Sequence, residues 1–271
     1  MQEMNTYTDQ LGREVVIPFP PRRIISVVPS QTELLYDLGL DEEVVGITKF
    51  CVHPEEWFRQ KQRIGGTKQL HLEEILALKP DLVIANKEEN TAADIHYLME
   101  RVPVWVSDIQ TLDDALAMIS NIGKITGRHE QALQITNDII LRFSDLQKST
   151  HQGKKLRTAY FIWRNPWMVA GGDTFIHHLM TVYCGLENVF GEISRYPEVD
   201  AGQLLSSDCQ VILLSSEPYP FKEKHIAELA AIAPGARILL VDGEMFSWYG
   251  SRLGKAAEYM QELWKLLYNC Q

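Results

Sequence analysis

Between Leu112 and Leu146 the chain carries an almost unbroken helical pattern, and no other stretch restricts the possible folds so strongly. Leu112, Ala115, Leu116, Ile119, Ile122 and Ile125 recur at steps of three and four; Ala132, Leu133, Ile135, Ile139, Ile140, Phe143 and Leu146 do so again after a break around Gly127. Two amphipathic helices therefore meet at the glycine. The second, from about Arg128 to Gln147, would be ~30 Å long at ~1.5 Å rise per residue, enough to run from one small domain to the next. The polar stretch Lys148 to Lys155 follows it as a natural boundary.

On both sides of this helical centre the pattern alternates. Before it come Arg23–Val28 as strand, Gln31–Leu38 as helix, Val44–Thr48 as strand, a helix signal through Leu72, Ile75, Leu76 and Leu78, then Leu82–Ala85 and Val102–Val106 as strands. After it come Arg157–Trp163 as strand, Thr174–Tyr183 as helix, Val211–Ser215 and Ile238–Val241 as strands, and Arg252–Tyr268 as a closing helix. Continuous apolar runs such as Leu82-Val83-Ile84-Ala85 suit strands covered on both faces, so the predicted class is α/β, with a parallel sheet in each half. The 271 residues suffice for two lobes, each burying its own core. The expected division is an N-terminal lobe over 1–127, a linking helix over 128–150 and a C-terminal lobe over 151–271. Leu72–Ile84 also echoes Ala201–Leu213 in apolar pattern at low identity, which places the same short helix and buried strand in each half.

A formal charge of −10 with scattered basic residues opposes binding to nucleic acid or to an anionic membrane surface. The start, Met1-Gln2-Glu3-Met4-Asn5-Thr6, has neither a basic segment nor an apolar run before Val15, so no export signal is expected as written. That makes the chain cytoplasmic as encoded, or periplasmic or cell-surface if a leader has been removed. Cys51, Cys184, Cys209 and Cys270 have neither the density nor the spacing of a disulfide scaffold or a zinc site, and the last three read as buried or incidental thiols.

In open parallel sheets ligands gather outside the carboxyl ends of the strands. Pro29-Ser30, Phe50-Cys51-Val52-His53 and Asn86-Lys87-Glu88 occupy those ends in the first half. Trp163-Arg164-Asn165-Pro166-Trp167, Ser216-Glu217-Pro218-Tyr219-Pro220 and Asp242–Tyr249 occupy them in the second. Large rings with a few polar groups are what a preformed pocket for a bulky organic ligand requires. Single rings of this kind also serve simply to pack beneath loops. Cys51 and His53 offer a soft and an imidazole donor to a metal, with Glu88, Glu217 or Glu244 as oxygen donors; alternatively Cys51 is buried and His53 merely precedes Pro54 in a turn. Cys51 as a nucleophile with His53 as base would lack an orienting partner. Gly171-Gly172-Asp173-Thr174 can face an anion or cap the following helix through Asp173 or Thr174. Neither a dinucleotide fingerprint nor a phosphate loop is present, which counts against an enzyme.

With these residues in view, the chain resembles the helical-backbone solute receptors of ABC importers, the class with cobalamin-binding and iron-siderophore-binding members. The likeness is carried by Tyr7–Arg13, Arg23–Glu33, Leu38-Gly39-Leu40 with Val44-Val45-Gly46, Gly65-Gly66 and Leu78–Ile84. Ser215–Phe221 and Asp242–Trp248 look most like the cobalamin-binding branch. The resemblance implies two Rossmann-like lobes with parallel sheets on one rigid backbone helix, the ligand held in the cleft between them, a monomer, and little lobe closure. In that family a glutamate on each lobe engages arginines of the transporter. Glu73 matches the first position, whereas the second reads Asp200-Ala201-Gly202-Gln203, with Glu198 or Asp200 as the available substitute.

The expected function is therefore reversible, non-catalytic binding of a cobalamin-like corrinoid or another metal chelate, an iron-siderophore or haem, for an ABC permease and ATPase. Expected ligand contacts are Pro29, Phe50, Glu88, Trp163, Trp167, Tyr196, Glu217, Phe246, Trp248 and Arg252. The alternative is a cytosolic metal-handling protein, perhaps an enzyme, with Cys51 and His53 as metal ligands; a pure interaction module is a third reading.

Overall fold

The computed structural model describes residues 2–150 and 154–268, which form two compact units. One comprises the described residues up to Ile109 with Asp113–Asp138 and Tyr249–Arg252; the other comprises Gln110–Leu112, Ile139–Trp248 and the described residues from Leu253 onward.

The first unit opens on an antiparallel hairpin of β1 (Glu3–Thr8) and β2 (Glu14–Phe19), with Tyr7 opposite Val15. Its turn is tied by Asp9, whose carboxylate accepts the N–H groups of Leu11 and Arg13 and pairs with the Arg13 guanidinium. In β2 the two faces differ: Val15 and Ile17 are buried while Val16 is exposed, the alternation of a strand with one face on a core. Then follow β3 (Ile24–Ser26), α1 (Pro29–Asp37), β4 (Val44–Ile47), α2 (Glu55–Gln60), β5 (Gln62–Arg63), a small hairpin of β6 (Gly65–Gly66) and β7 (Gln69–Leu70), and α3 (Leu72–Ala77). After them come β8 (Leu82–Asn86), α4 (Ala92–Met99) and β9 (Val104–Ser107). The sheet runs β5-β4-β3-β8-β9 with every pair parallel. All of β8 and β9 is buried, as strands between two helical layers should be.

The helical centre is α5 (Leu112–Thr126) and α6 (His129–Thr150). At 22 residues α6 is ~33 Å long; its residues up to Asp138 pack with the first unit and those from Ile139 with the second. Gly127, at φ 71°, takes the left-handed conformation that ends one helix before the next begins.

The second unit has β10 (Leu156–Trp163), β11 (Met168–Val169), α7 (Phe175–His178), a π-helical turn over Leu179–Tyr183 and β12 (Leu186–Asn188). It continues with α8 (Ala201–Ser206), β13 (Val211–Ser215), α9 (Glu223–Ile232), β14 (Arg237–Val241), α10 (Glu244–Ser247) and α11 (Leu253–Tyr268). Its sheet is ordered β11-β10-β13-β14; the central pairs are parallel, β11 is antiparallel, and β12 pairs with the start of β10. The segment expected as one helix over Thr174–Tyr183 is thus a short α-turn passing into π geometry. Thr174 caps it, its hydroxyl accepting the His177 N–H.

The internal echo extends to atomic detail. Lys79 and Asp208, at matching places after α3 and α8, both adopt positive φ, 47° and 49°. Arg23 donates to the Leu78 carbonyl, and Arg157 donates to the Ser207 carbonyl. The backbone N–H of each arginine donates to the side chain after the turn, Asp81 in one unit and Gln210 in the other. In both units the same arginine clip joins the end of a helix to the start of the central strand, satisfying carbonyls that the helix leaves unpaired.

Candidate ligand-binding surfaces

In the first unit the end of β3 leads straight into α1, with Pro29 at the first helical position, where its missing N–H costs nothing. Pro29 is buried, as are Ser30 and Gln31. Glu33, one turn on, forms a buried two-point ion pair with Arg252: Nε to Oε2 at 2.7 Å and Nη2 to Oε1 at 2.8 Å. Arg252, expected as a polar ligand contact, is 6% exposed and holds Tyr249–Arg252 against α1.

At the end of β4, Phe50 is 50% exposed, with Lys49 Nζ 5.1 Å from its ring centre. Cys51 beside it is completely buried, its Sγ 3.1 Å from the hydroxyls of both Thr32 and Thr48. Burial pushes the thiol up, away from the thiolate that a metal needs. This corrects Cys51 as a metal ligand: it is a buried thiol held between Thr32 of α1 and Thr48 just after β4. His53 is half-buried, two residues along. Among the described residues no His, Cys, Asp or Glu side chains gather in a group of three able to hold a metal ion. After β8, the Asn86 side chain accepts the N–H groups of Glu88 and Glu89, 2.8 and 2.9 Å, and Lys68 donates to the Glu88 carbonyl. This Asx-type turn fixes the backbone that carries the half-buried Glu88 carboxylate.

The second unit concentrates its rings. Trp163, at the end of β10, is 40% exposed and meets Tyr219 edge to face at 5.7 Å. Tyr219 meets Phe221 at 4.9 Å, Phe221 stacks on Trp167 with planes 6° apart, and Trp167 meets Phe161 edge to face at 5.6 Å. Arg164 lies over Trp167 and pairs with Glu228 at 2.7 Å. Two strand ends, those of β10 and β13, thus share one continuous aromatic wall, in which Phe161 and Phe221 are buried in the core, Trp167 and Tyr219 pack against it half-buried, and Trp163 is exposed. Tyr196 lies half-buried with the Arg195 guanidinium 5.7 Å from its ring.

Beside the wall, one Glu217 oxygen, Oε1, accepts both the Ser247 hydroxyl at 2.6 Å and the Trp248 indole N–H at 3.0 Å. Burial raises the Glu217 pKa, and the neighbouring Glu244 and Asp242 carboxylates add to the rise. Trp248 is only 7% exposed, its indole N–H engaged by Glu217. Phe246 is completely buried against Tyr160 and Tyr259, so its expected role in packing a ligand is corrected: it is a core residue of the second unit. α10 carries Phe246, and Trp248 follows it where the backbone becomes extended; both rings are buried.

Sequence reasoning placed Tyr219 and Phe221 at a strand end without counting them among the ligand contacts, and it did not single out His225. Their signal was the Pro218-Tyr219-Pro220-Phe221 run at a strand end, where prolines stiffen the segment that displays the rings. Cys184 is buried, its thiol pushed far up by burial, and Cys209 is half-buried. Cys270 lies outside the described residues. Among the described residues no helix is long and apolar enough to cross a membrane.

A parallel-sheet unit repeated on either side of a long helix is shared with proteins of known structure. The fold matches the periplasmic vitamin B12-binding protein BtuF of Vibrio cholerae with a TM-score of 0.80 at 24% identity, over 92% of this chain and 98% of that one. A periplasmic haem-binding protein from Roseiflexus sp. RS-1 gives 0.80 at 19% identity over 92% and 98%. The siderophore-binding protein BauB gives 0.79 at 17% identity over 97% and 99%. In sequence, the vitamin B12-binding protein of Pectobacterium atrosepticum is 28% identical over 247 residues, 88% of this chain and 86% of that protein. The sequence profile of the periplasmic binding proteins matches residues 24–232, which is most of the chain, and the chain therefore belongs to the periplasmic binding protein family.

Proposed function

We propose that the protein reversibly binds a bulky metal chelate, foremost a cobalamin-like corrinoid, with haem and iron-siderophore complexes as the nearest alternatives, and presents it to an ABC importer. The observation that carries this reading is the aromatic wall of the second unit, with exposed Trp163 at its end and the Glu217–Trp248 pair beside it. Of these rings Trp163 is exposed and Trp167 and Tyr219 are half-buried, and partly open rings on a core-anchored support can remove a large flat ring system from water. The relatives named as vitamin B12-binding proteins support a corrinoid over the other chelates. In the first unit, Phe50 and Glu88 are the groups that strand-end position and exposure favour as contacts.

Glu73 supports the presentation step. It stands exposed on α3, where the Tyr97 hydroxyl donates to its Oε1 at 3.0 Å and fixes its direction. At the matching place in the second unit, Asp200 caps α8 by accepting the Gln203 N–H at 2.8 Å, and Glu198 is exposed beside it. The metal-handling alternative leaned on Cys51, whose burial between two threonine hydroxyls removes that support.

Titration with cyanocobalamin, haem and a ferric siderophore, followed by tryptophan fluorescence, tests the reading. Saturable quenching at micromolar concentration or below by at least one of them is expected. No response across the set would overturn it.

A further inference from the structure

A hydrogen-bond relay runs from the backbone of Lys222 through His225 to the phenol of Tyr219. It starts where α9 begins: the backbone N–H of Lys222 donates to His225 Nδ1 at 2.9 Å. A backbone amide only donates, so Nδ1 accepts and the single ring proton of the neutral imidazole sits on Nε2. The ring stays neutral because it is 1% exposed; desolvation, with the nearby Lys224 charge, holds its pKa below the usual imidazole value. Glu228 and Arg164, which pair with each other, are the other charged groups acting on it.

His225 Nε2 lies 3.3 Å from Tyr219 Oη. Since Nε2 carries the proton, the phenol oxygen is the acceptor of this bond. The phenol's own proton must then go elsewhere, and no described residue supplies an acceptor for it. Rings fix the orientation of the group: Phe221 meets Tyr219 at 4.9 Å and His225 at 5.4 Å, and Trp163 meets Tyr219 at 5.7 Å. Tyr219 is half-buried, and the ring it meets, Trp163, is 40% exposed.

We infer that Tyr219 is a specificity-determining donor of the binding surface, offering its phenolic proton to a carbonyl or carboxylate oxygen on the rim of the bound chelate while Trp163 covers the adjacent ring system. His225 is the positioning residue: by filling the acceptor side of the phenol it turns the donor side outward. The inference rests on the chelate-binding reading above and deepens it, since it favours chelates whose periphery bears amide carbonyls or carboxylates over those with an alkyl rim.

Two arms keep the inference and that reading distinguishable. In the ligand-free full chain, long-range proton–nitrogen NMR at pH 7.5, assigned with H225Q, should show His225 as the neutral Nε2–H tautomer. A neutral Nδ1–H tautomer or an imidazolium overturns the relay whatever the protein binds. In fluorescence titrations with cyanocobalamin and with haem, Tyr219→Phe should bind the preferred probe roughly 3- to 10-fold more weakly than wild type, the range of one hydrogen bond, with an unchanged melting temperature. His225→Leu should lose a similar factor, and His225→Gln, which keeps a donor near the Nε2 position, should recover part of it. Wild-type affinity in Tyr219→Phe or in His225→Leu overturns the inference and leaves the chelate-binding reading standing. A wild-type protein that binds neither probe overturns both.

Discussion

Replacing Arg252 by Met tests what holds the end of the chain's first unit together. Nε and Nη2 of Arg252 meet both oxygens of Glu33 at 2.7 and 2.8 Å, and the two side chains are 7% and 8% exposed. The clip brings residues 249–252 back to α1, and the approach is so close that a Cβ on Gly250 would lie 2.8 Å from the Ser30 carbonyl oxygen. Taking away the cation leaves a carboxylate with little water and no strong counter-charge from this arginine. The cost of breaking such a buried pair is about 3–5 kcal/mol. Against a domain stability of roughly 5–15 kcal/mol, that is a third or more of the total. Hydrogen exchange by mass spectrometry reads the loss locally: amides of α1 that exchange through opening of this unit should lose protection by roughly 10²- to 10⁴-fold. The pair Glu33→Leu with Arg252→Met removes both charges and should regain more than half of the loss, because no uncompensated ion remains. If the single variant loses less than about 1 kcal/mol, or the double variant loses the sum of the two singles, the ion pair is not what closes this unit. An Arg252→Met protein with wild-type protection but no ligand affinity would make Arg252 a ligand contact instead.

Trp163→Ala should weaken chelate binding with little change in melting temperature, since the ring is 40% exposed, whereas Trp248→Ala should also cost about 3–5 kcal/mol of stability because its ring is buried; calorimetric melting alongside titration separates the two. Burial raises the folded-state pKa of Glu217 above its unfolded value, so its contribution to stability is present at low pH and is lost as pH rises through the folded pKa. Glu217→Gln should therefore flatten the fall in melting temperature over that window, and an unchanged profile would refute the assignment. Gly243→Ala would place a Cβ 2.3 Å from Ser215 Oγ and 2.6 Å from Glu217 Cγ; a loss of about 1–3 kcal/mol with weaker binding is expected, measured by urea unfolding and titration. Iodoacetamide labelling resolved by peptide mass spectrometry should find Cys51 and Cys184 protected in the native protein and modified only as fast as it unfolds, because both thiols are buried and held protonated.

Much of the architecture is legible in the chain because its signals are local and repeated. The steps of three and four from Leu112 onward mark α5 and α6, and the short apolar runs at Leu82 and Val211 mark the fully buried β8 and β13. The echo between Leu72–Ile84 and Ala201–Leu213 pointed to a repeated unit, and the Arg23 and Arg157 clips show what the repetition preserves. The opening hairpin was not legible as such: β1, with Asn5 and Thr6, has no apolar run, and its pairing partner β2 supplies the buried side chains. The π-helical turn after His178 also lacked a local signature, because the pattern of apolar residues there fits an α-helix equally well.

The composition of the strand ends, rings with a few carboxylates, is a property of the sequence, and so is the expectation that a ligand gathers there. Which ring faces outward is not. Phe246 and Trp248 stand two residues apart and read alike, yet both are buried: Phe246 in α10 is enclosed by Tyr160 and Tyr259, and Trp248, where the chain leaves the helix in extended backbone, donates to Glu217, while Trp163 stays 40% exposed. Cys51 and Arg252 looked like available ligands until packing gave them partners far away in sequence, Thr32 and Glu33. Long-range partners of this kind leave no periodic trace, whereas helical and strand periodicity is written into every few residues. The sequence by itself thus determined the class of fold and its repetition in the two halves of the chain, and it led to the expectation of a ligand at the strand ends. Only the tertiary structure decided which polar and aromatic groups at those ends are tied to the core and which, like Trp163 and Tyr219, stay open to solvent.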